Sequence, residues 1–175
     1  YNISQAVYSV EYACQLSQMA KKKNVKVKIH LKLDTGMSRI GLICQNDDNS
    51  EAVSDGIKIC SMENLIPEGV FTHFAVADDD KEGKDFTLAQ YKHFTETVSA
   101  IEKGGIKFKV RHCSNSGAIL DYKEMNLDMV RAGIILYGLA PSPKLKDRLP
   151  FKPAMELKSV ISYVKRIQKG MTVSY

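Results

Sequence analysis

The 175-residue sequence contains no tryptophan, only 5 prolines and 4 cysteines, and no long apolar run. A membrane-spanning helix needs about 20 consecutive apolar residues, so the pattern excludes a chain built on such helices. Cys14, Cys44, Cys60 and Cys113 include no C-x-x-C pair, which argues against a zinc site and against a disulfide framework. No basic and then apolar leader opens the sequence, so a cytoplasmic protein is expected.

The charge and the hydrophobic content are typical of a globular domain. Hydrophobic residues make up 44% of the chain and charged residues 26%, and the formal net charge is +5. The lysines are scattered, apart from residues 21–23, which are expected at the solvated end of a helix. No aromatic platform or helix-turn-helix pattern accompanies them, which argues against nucleic-acid binding.

Strands and helices alternate along the predicted structure. Apolar spacing predicts helices over residues 5–22, 49–62 and 86–103, and a short helix in the segment NSGAIL. Strands are predicted over residues 25–34, 69–75 and 106–114. The third long helix is predicted to turn these apolar residues toward the core: Leu88, Tyr91, Phe94, Val98 and Ile101. Such alternation with short connections indicates parallel strands joined by right-handed crossovers.

The strand at residues 25–34 favours one of two parallel architectures. Its apolar and polar residues alternate strictly, whereas a sheet covered by helices on both faces has near-continuous apolar strands. One polar face therefore favours a closed barrel, with that face inside, over an open doubly wound sheet. A full barrel needs about 250 residues. The fold class predicted for residues 1–150 is therefore α/β, the C-terminal half of a (β/α)8 TIM-type barrel.

The last segment of the chain differs from the rest. Residues 151–175 alternate in hydrophobicity and are rich in β-branched side chains, which predicts a strand pair at the start of a β domain. Since the chain starts without Met and stops inside this predicted pair, we expect it to be a piece of a longer protein.

Polar residues cluster where the predicted strands end. The segments are KLDTGMSRIG with Lys32, Asp34 and Arg39, FTHFAVAD with His73, RHCSNSG with His112, Asn115 and Ser116, and VRAGIILYG with Arg131. In parallel α/β folds, functional groups gather at the carboxyl ends of the strands and in the loops after them. These segments are therefore predicted to form one site.

In this order, and followed by GLAPSP and a VSY strand, the segments closely resemble the alanine racemases. These are pyridoxal 5'-phosphate (PLP) enzymes that interconvert L-alanine and D-alanine for cell-wall synthesis in bacteria. The resemblance covers residues 25–175. It implies a PLP-binding barrel, a β domain, a homodimer, and alanine as the substrate.

The resemblance assigns the first segment to substrate binding. Arg39 is expected to reach over the cofactor, where its planar fork can hold a substrate carboxylate and the phenolic oxygen of PLP. Gly36 and Gly41 are expected to let the backbone turn tightly on either side of it. The lysine that matches Lys32 is often carbamylated in the family, which would make it an anion that pairs with Arg39. The alternative for Lys32 is a lysine paired with Asp34.

The other segments are assigned to the cofactor. Arg131 resembles the arginine that donates a hydrogen bond to the pyridine nitrogen of PLP, and its pKa above about 12 prevents it from releasing the proton. The ring nitrogen then stays largely unprotonated, which discourages transamination. His73 resembles the histidine beneath the cofactor, and His112 is expected to orient Arg131.

The phosphate requires backbone and hydroxyl donors. By resemblance Ser116, Gly133 and Ile134 bind the phosphate, and Asn115 lies beside the ring. Helix N-termini present free N–H groups and a positive dipole end, which is how many barrels bind phosphate. The segment SNSG can also be a plain helix cap, and both descriptions can hold together.

Only one of the two catalytic bases of the family has a match in this sequence. The lysine that binds PLP covalently lies in a KANAYGHG-like context on the first barrel strand, and nothing in this chain matches it. Tyr175 matches the opposing tyrosine, which reaches the site of the other subunit. In the two-base mechanism one group removes the α-proton and the other delivers a proton to the opposite face. The 175 residues alone are therefore expected to be inactive.

Three other functions remain open at this stage. A serine or alanine/serine racemase of the same fold would share these cofactor residues. A PLP-binding barrel without catalytic activity would end with the barrel, whereas residues 153–175 predict the start of a further domain. A basic nucleic-acid binder would bind DNA in a salt-sensitive way and carry no coloured cofactor.

Overall fold

A computed structural model describes residues 2–79 and 81–173, and its centre is a parallel sheet. The strands are β1 (Gln5–Val7), β2 (Val27–Asp34), β3 (Leu42–Ile43), β4 (Leu65–Phe71) and β5 (Val110–His112). The helices are α1 (Val10–Lys22), α2 (Ser50–Cys60), α3 (Lys81–Lys103) and α4 (Ser116–Asp121). Short 3₁₀ turns follow at Lys123–Met125, Ile134–Tyr137 and Pro143–Leu145. The predicted alternation of strands and helices is confirmed.

The strands lie in the order in which the chain forms them. The sheet runs β1, β2, β4, β5, every pairing is parallel, and the short β3 pairs with the end of β2. A doubly wound sheet reverses its strand order at a switch point, whereas a barrel adds each new strand on the same side. The described sheet shows no reversal, so it is an arc of the barrel type.

The helices form a layer on the face of β2 that carries its apolar residues. Ile29, Leu31 and Leu33 are fully buried, and a Cβ added at Gly56 of α2 would come within 3.3 Å of the Leu31 side chain. Because side chains alternate across a strand, His30, Lys32 and Asp34 point to the opposite face. Lys32 and Asp34 are nevertheless each only 4% exposed. The polar face predicted from the sequence is therefore an enclosed one at the carboxyl end of β2.

Several predicted boundaries were wrong. The first predicted helix begins only at Val10, because Ser9 caps it, and the residues before the cap form β1. The strand predicted over 69–75 is Leu65–Phe71, and the one over 106–114 is reduced to Val110–His112. In α3, Leu88 was predicted to face the core but is 42% exposed, whereas Thr87 and Gln90 are buried. His73 consequently lies in the loop after its strand.

The strand pair predicted for the end of the chain is absent from the described residues 151–173, which form no strand. Their apolar side chains lie in solvent, with Leu157 100% and Val160 87% exposed. A strand needs a neighbouring strand for its backbone hydrogen bonds, and the described part of the chain offers none to this segment. Among the described residues no helix is long and apolar enough to cross a membrane.

Candidate active site

A cavity of about 360 Å³ opens at the carboxyl end of the sheet. It is lined by residues from three of the predicted segments: His73, Asp78, Asn115, Ser116, Gly117, Arg131, Gly133, Ile134 and Pro141. A larger hollow of about 1030 Å³ lies within residues 138–153. That hollow is formed by one stretch of chain with several prolines, whereas polar groups from separate strands converge on the smaller cavity. We therefore take the smaller cavity as the candidate site.

Arg131 is the most firmly held side chain of the site. Its Nη2 donates to the carbonyl oxygen of Thr72 at 2.7 Å and to that of Cys113 at 3.3 Å, and its Nη1 lies 2.6 Å from His112 Nδ1. The guanidinium also lies over the Phe71 ring, 5.3 Å from its centroid. The Nε–H of Arg131, by contrast, has no acceptor among the residues that the structure describes. Arg131 is fixed on one side and free to donate on the other.

His73 is neutral at physiological pH. Burial, then the charges of Arg131, Arg39 and Lys32, lower its pKa from 6.5 to about 4. Its Nδ1 lies 3.4 Å from Arg131 Nη2, a long contact in which the guanidinium must be the donor. The proton of the neutral ring is therefore on Nε2, and His73 presents an uncharged ring to the cavity.

The loop that carries Arg39 is organised by Asp34. One carboxylate oxygen of Asp34 accepts from the amides of Gly36 at 3.1 Å and Ser38 at 3.0 Å. Gly36 and Gly41 have φ values of +137° and +126°, and a Cβ at Gly41 would lie 2.9 Å from the Asp34 amide nitrogen. The tight glycine turns expected from the sequence are confirmed. These hydrogen bonds and glycine turns therefore fix the backbone of the loop.

The side chain of Arg39 is not held in the same way. It is exposed, and no hydrogen bond or ion pair joins it to another residue of the described chain. Its charge nevertheless contributes, together with that of Arg131, to the lowered pKa of His73. The two guanidinium groups thus act on the same histidine, but only Arg131 is locked in position.

Lys32 lies under this loop. Its Nζ donates to the Leu33 carbonyl oxygen at 2.7 Å and lies 5.7 Å from the centroid of the Phe71 ring. Burial lowers its pKa from 10.5 to about 8, although the charge of Asp34 opposes the shift. Lys32 and Asp34 form no ion pair within 4.0 Å in the described structure. A substantial fraction of Lys32 is therefore a neutral, nucleophilic amine near pH 8.

The segment SNSG caps a helix and also lines the cavity. Asn115 is the N-cap of α4: its side-chain oxygen accepts from the Ala118 amide at 3.1 Å, and its Nδ2 donates to the Phe74 carbonyl. Ser116 Oγ accepts from the Gly133 amide at 2.9 Å. Ile134 starts a 3₁₀ turn, so its amide has no acceptor within that turn. The predicted cap is confirmed, and the candidate phosphate ligands lie next to one another.

Sequence reasoning missed Gln90. This side chain of α3 is 1% exposed, and its Oε1 accepts from the Ala75 amide at 2.9 Å. Its Nε2 donates to Thr35 Oγ1 at 3.2 Å and to the His73 carbonyl oxygen at 3.3 Å. Gln90 thereby ties the start of the Arg39 loop to the His73 loop. The signal was a polar residue at a core-facing helical position, which an analysis of apolar spacing alone overlooks.

Tyr175, the predicted catalytic tyrosine, lies outside the described residues. The other predicted residues fall into two groups. The structure brings His73, His112, Asn115, Ser116, Arg131, Gly133 and Ile134 together around the cavity or directly behind it. Lys32 and Arg39 lie on the neighbouring β2 strand and its loop.

With this geometry established, comparison with known proteins is decisive. The family model described as the N-terminal domain of alanine racemase matches residues 1–141, most of the chain. The chain belongs to the alanine racemase family. Its parallel α/β fold is that of the family's N-terminal barrel domain.

Curated alanine racemases match along the whole chain. The alanine racemase of Clostridium tetani is 42% identical over 176 residues, which cover 100% of this chain and 44% of that protein. The alanine racemase of Treponema denticola is 43% identical, again over 100% of this chain and 45% of that protein. The chain thus spans less than half the length of these racemases.

Solved structures of alanine racemases agree with the fold. The enzyme of Clostridium difficile 630 in complex with cycloserine superposes with a TM-score of 0.83 at 41% identity, covering 94% of this chain and 44% of that one. The Bacillus anthracis enzyme with bound L-Ala-P gives a TM-score of 0.70 at 31% identity, covering 85% of this chain and 36% of that one.

Alanine racemases use PLP, and the residues around the cavity fit that cofactor. The volume of about 360 Å³ lies in the range of roughly 300–1,000 Å³ of small-molecule sites. The free Nε–H of Arg131 can donate to a ring nitrogen, and the hydroxyl of Ser116 can donate to a phosphate. At Gly133 an added Cβ would meet only Ser116 Oγ, at 3.4 Å. Bare backbone at this position leaves room for a phosphate to approach the amides.

Proposed function

We propose that this chain forms the C-terminal half of the PLP-binding barrel of an alanine racemase that interconverts L-alanine and D-alanine. The observation that supports the proposal most strongly is Arg131. Its guanidinium is held by carbonyl oxygens and by a neutral histidine, while its Nε–H remains available beside the cavity. A permanently protonated donor that is partly buried and fixed in this way is suited to a hydrogen bond with a ring nitrogen.

Arg131 would bind the pyridine nitrogen without giving up its proton. PLP bound here would stabilise negative charge at the α-carbon of the amino acid while that carbon is deprotonated. Burial lowers the pKa of Arg131, but a guanidinium stays protonated throughout the physiological range. The ring nitrogen would therefore accept a hydrogen bond rather than a proton, which favours racemisation over transamination.

The remaining cavity residues would position the cofactor. Ser116 and the amides of Gly133 and Ile134 would hold the phosphate, and a phosphate would replace the Ser116–Gly133 hydrogen bond by its own. Asn115 and His73 would border the ring. Because His73 is neutral, it adds no positive charge next to Arg131.

Arg39 would bind the substrate carboxylate. Its exposed guanidinium can form a bidentate pair with an incoming carboxylate, and its backbone is already set by Asp34. Lys32 would carry a carbamate: its neutral amine attacks CO₂, an N–C bond forms as one C=O π bond breaks and its electron pair moves to oxygen, and a proton passes from nitrogen to solvent. The lowered pKa of about 8 supports this reaction, because only the neutral amine is nucleophilic.

Catalysis would need groups from outside the described residues. Tyr175 would hold or deliver one of the two transferred protons, in the site of the partner subunit of a homodimer. The opposing lysine would come from a part of the enzyme that this chain does not contain. In this proposal residues 1–150 are the second half of the barrel, residues 151–175 begin a β domain, and the enzyme acts in the cytoplasm.

The experiment is a paired measurement on the complete enzyme and on the 175 residues alone. The complete enzyme is expected to show an absorbance band at about 420 nm, typical of lysine-bound PLP, and to racemise L-alanine. The 175 residues with added PLP are expected to show no turnover. Absence of both the band and the racemisation in the complete enzyme would overturn the proposal, and faster turnover of L-serine would assign it to serine instead.

The state of Lys32 is tested separately by 13C NMR of the complete enzyme in the presence of 13C-labelled bicarbonate. A carbamate signal is expected in the wild type and should be absent from the Lys32→Ala variant. Lys58→Ala, at an exposed lysine of α2, is the control and should keep the signal. A spectrum without a carbamate signal would overturn this part of the proposal.

A further inference from the structure

Behind Arg131, a line of polar side chains crosses the sheet. Arg131 Nη1 lies 2.6 Å from His112 Nδ1, and His112 Nε2 lies 2.8 Å from His30 Nδ1. His30 Nε2 in turn lies 3.5 Å from a carboxylate oxygen of Glu68. The line therefore joins the guanidinium at the cavity to a carboxylate toward the amino-terminal end of the sheet.

Only one arrangement of protons satisfies this line. A guanidinium can only donate, so His112 Nδ1 must accept from Arg131. His112 is neutral because burial and the charge of Arg131 lower its pKa to about 3. Its proton is then on Nε2 and is donated to His30 Nδ1, so the proton of His30 is on Nε2, facing Glu68. Both hydrogen bonds, Arg131 to His112 and His112 to His30, therefore point toward the carboxylate, and the Nε2–H of His30 faces Glu68 at 3.5 Å.

The strand geometry is adapted to bring Glu68 to this position. In the pairing of β2 with β4, Ile29 lies opposite Pro67 and His30 lies opposite Gly69, so Glu68 is an extra residue in a β-bulge. A bulge of this kind redirects a side chain relative to the regular alternation. Here the carboxylate of Glu68 comes within reach of His30.

Gly69 provides the space for the His30 ring. A Cβ at Gly69 would lie 2.6 Å from His30 Cε1 and 2.7 Å from His30 Nδ1, closer than real contacts allow. The φ of Gly69 is not in the left-handed region, so conformational freedom does not explain this glycine. The requirement for glycine is steric, and it serves the histidine of the line.

Glu68 supplies the negative charge that Arg131 otherwise lacks. Within the described chain, no carboxylate lies within 4.0 Å of Arg131. Glu68 stays ionised, because hydrogen bonds from Ser4 and Lys28 lower its pKa. The Nζ of Lys28 lies 3.1 Å from the other carboxylate oxygen of Glu68, Oε1. A chain of polarised hydrogen bonds can transmit part of this stabilisation to the partly buried Arg131 cation.

We propose that His30 and Glu68 are positioning residues that lock His112 in the Nε2–H tautomer and so hold Arg131 as a donor toward the cofactor ring. The inference rests on the proposed function for its role in racemisation. The tautomers themselves do not depend on that function, because the line is complete within the chain.

The first test is 15N NMR of histidine tautomers in the complete protein, labelled only at histidine. His112 and His30 are both expected to show a protonated Nε2 and an unprotonated Nδ1, with or without PLP. Assignment uses the variants His112→Gln and His30→Gln. An Nδ1–H tautomer at either residue in the wild type would overturn the inference.

The second test compares two replacements of His30. In His30→Gln the amide oxygen can still accept from His112 and the amide nitrogen can still donate to Glu68, whereas His30→Leu can do neither. We expect His30→Leu to lower kcat for alanine about tenfold, as for the loss of one hydrogen bond, with KM changed less than twofold. His30→Gln should restore kcat to within about threefold of the wild type.

Glu68→Gln removes the charge and keeps the shape. It should lower kcat about threefold, while the control Glu63→Gln, at an exposed residue just before β4, should leave kcat unchanged. Equal kcat in His30→Leu and His30→Gln would overturn the inference, because packing alone would then explain His30. If the wild-type protein shows the expected tautomers but neither PLP absorbance nor racemisation, the proposed function fails and the line itself stands.

Discussion

Arg131 and Arg39 carry the same functional group into the same region but are supported in opposite ways. Arg131 extends into a set of carbonyl oxygens, a histidine and an aromatic ring that fix its guanidinium. Arg39 has a fixed backbone, through Asp34 and two glycines, and an unattached side chain. The chain therefore preorganises the group that would meet a permanent cofactor. It leaves adaptable the group that would meet a substrate arriving and leaving in every cycle.

The largest expected effect comes from breaking the fixed side of this comparison. Arg131→Lys keeps a positive charge but loses the planar fork that contacts Thr72, His112 and Cys113 at once. We expect kcat of the complete enzyme to fall roughly 10²–10³-fold, the loss typical of a preorganised donor. The control is Arg111→Lys on β5, whose side chain pairs with Glu102 at the surface and should change kcat less than about twofold. A kcat within tenfold of wild type would contradict the cofactor role of Arg131.

The adaptable side should respond in a different kinetic parameter. Arg39→Lys cannot form a bidentate pair with a carboxylate, so we expect KM for alanine to rise roughly 10-fold or more, as for a lost charged hydrogen bond. The measurement is steady-state kinetics of the complete enzyme. Arg166→Lys, in the exposed final segment, is the matched control. An unchanged KM with a lower kcat would mean that Arg39 does not bind the substrate before the reaction.

Gln90 connects the two regions, and its replacement should affect both. Gln90→Leu leaves the partly buried Ala75 amide without its acceptor, whereas Thr35 Oγ1 keeps its hydrogen bond to Thr72 Oγ1 at 2.7 Å. Buried unsatisfied groups cost about 1–3 kcal/mol each, so the free energy of unfolding should fall by roughly 2 kcal/mol. Chemical denaturation of the complete enzyme measures it. Gln18→Leu, at an exposed site on α1, should change stability by less than about 0.5 kcal/mol. Equal losses in both variants would show that Gln90 does not connect the loops.

The smallest predicted effect concerns pH. Burial depresses the pKa of His73 to about 4 and of His112 to about 3, while an unfolded histidine titrates at 6.5. Between these pH values the unfolded chain binds more protons than the folded chain. The contribution of the two histidines to the free energy of unfolding is therefore fully present above pH 6.5 and declines as the pH falls toward 4 and 3. Denaturation midpoints from pH 7 to pH 4 should show this decline, and His73→Asn should make it shallower. The same slope in His73→Asn would contradict a buried neutral His73.

The residues that sequence reasoning identified correctly share one property: their role follows from their own neighbours in the chain. The strict alternation of β2 shows in a single segment, and Gly36 and Gly41 are needed by the local turn. The segment SNSG was recognised as a possible helix cap, and its Asn115 accepts from the Ala118 amide three positions later. Short-range patterns of this kind can be read without the fold.

The errors also have a physical pattern. Leu88 was placed in the core because only apolar residues were counted, whereas the inner face of α3 is polar near the site. The strand pair predicted beyond residue 150 has the right composition, but a strand exists only when another strand accepts its hydrogen bonds. The composition of a segment therefore could not decide whether that strand forms.

The sequence by itself determined the parallel α/β alternation, the polar strand ends and the membership of the racemase family, because these are recorded in local spacing and in the order of motifs. Only the tertiary structure decided which polar side chains act together. Arg131 donates to the carbonyl oxygen of Thr72, which is 59 positions away in the sequence. His30 is hydrogen-bonded to His112, which is 82 positions away. A one-residue bulge brings Glu68 to the same line. Such contacts depend on the register between distant strands, which no local pattern contains.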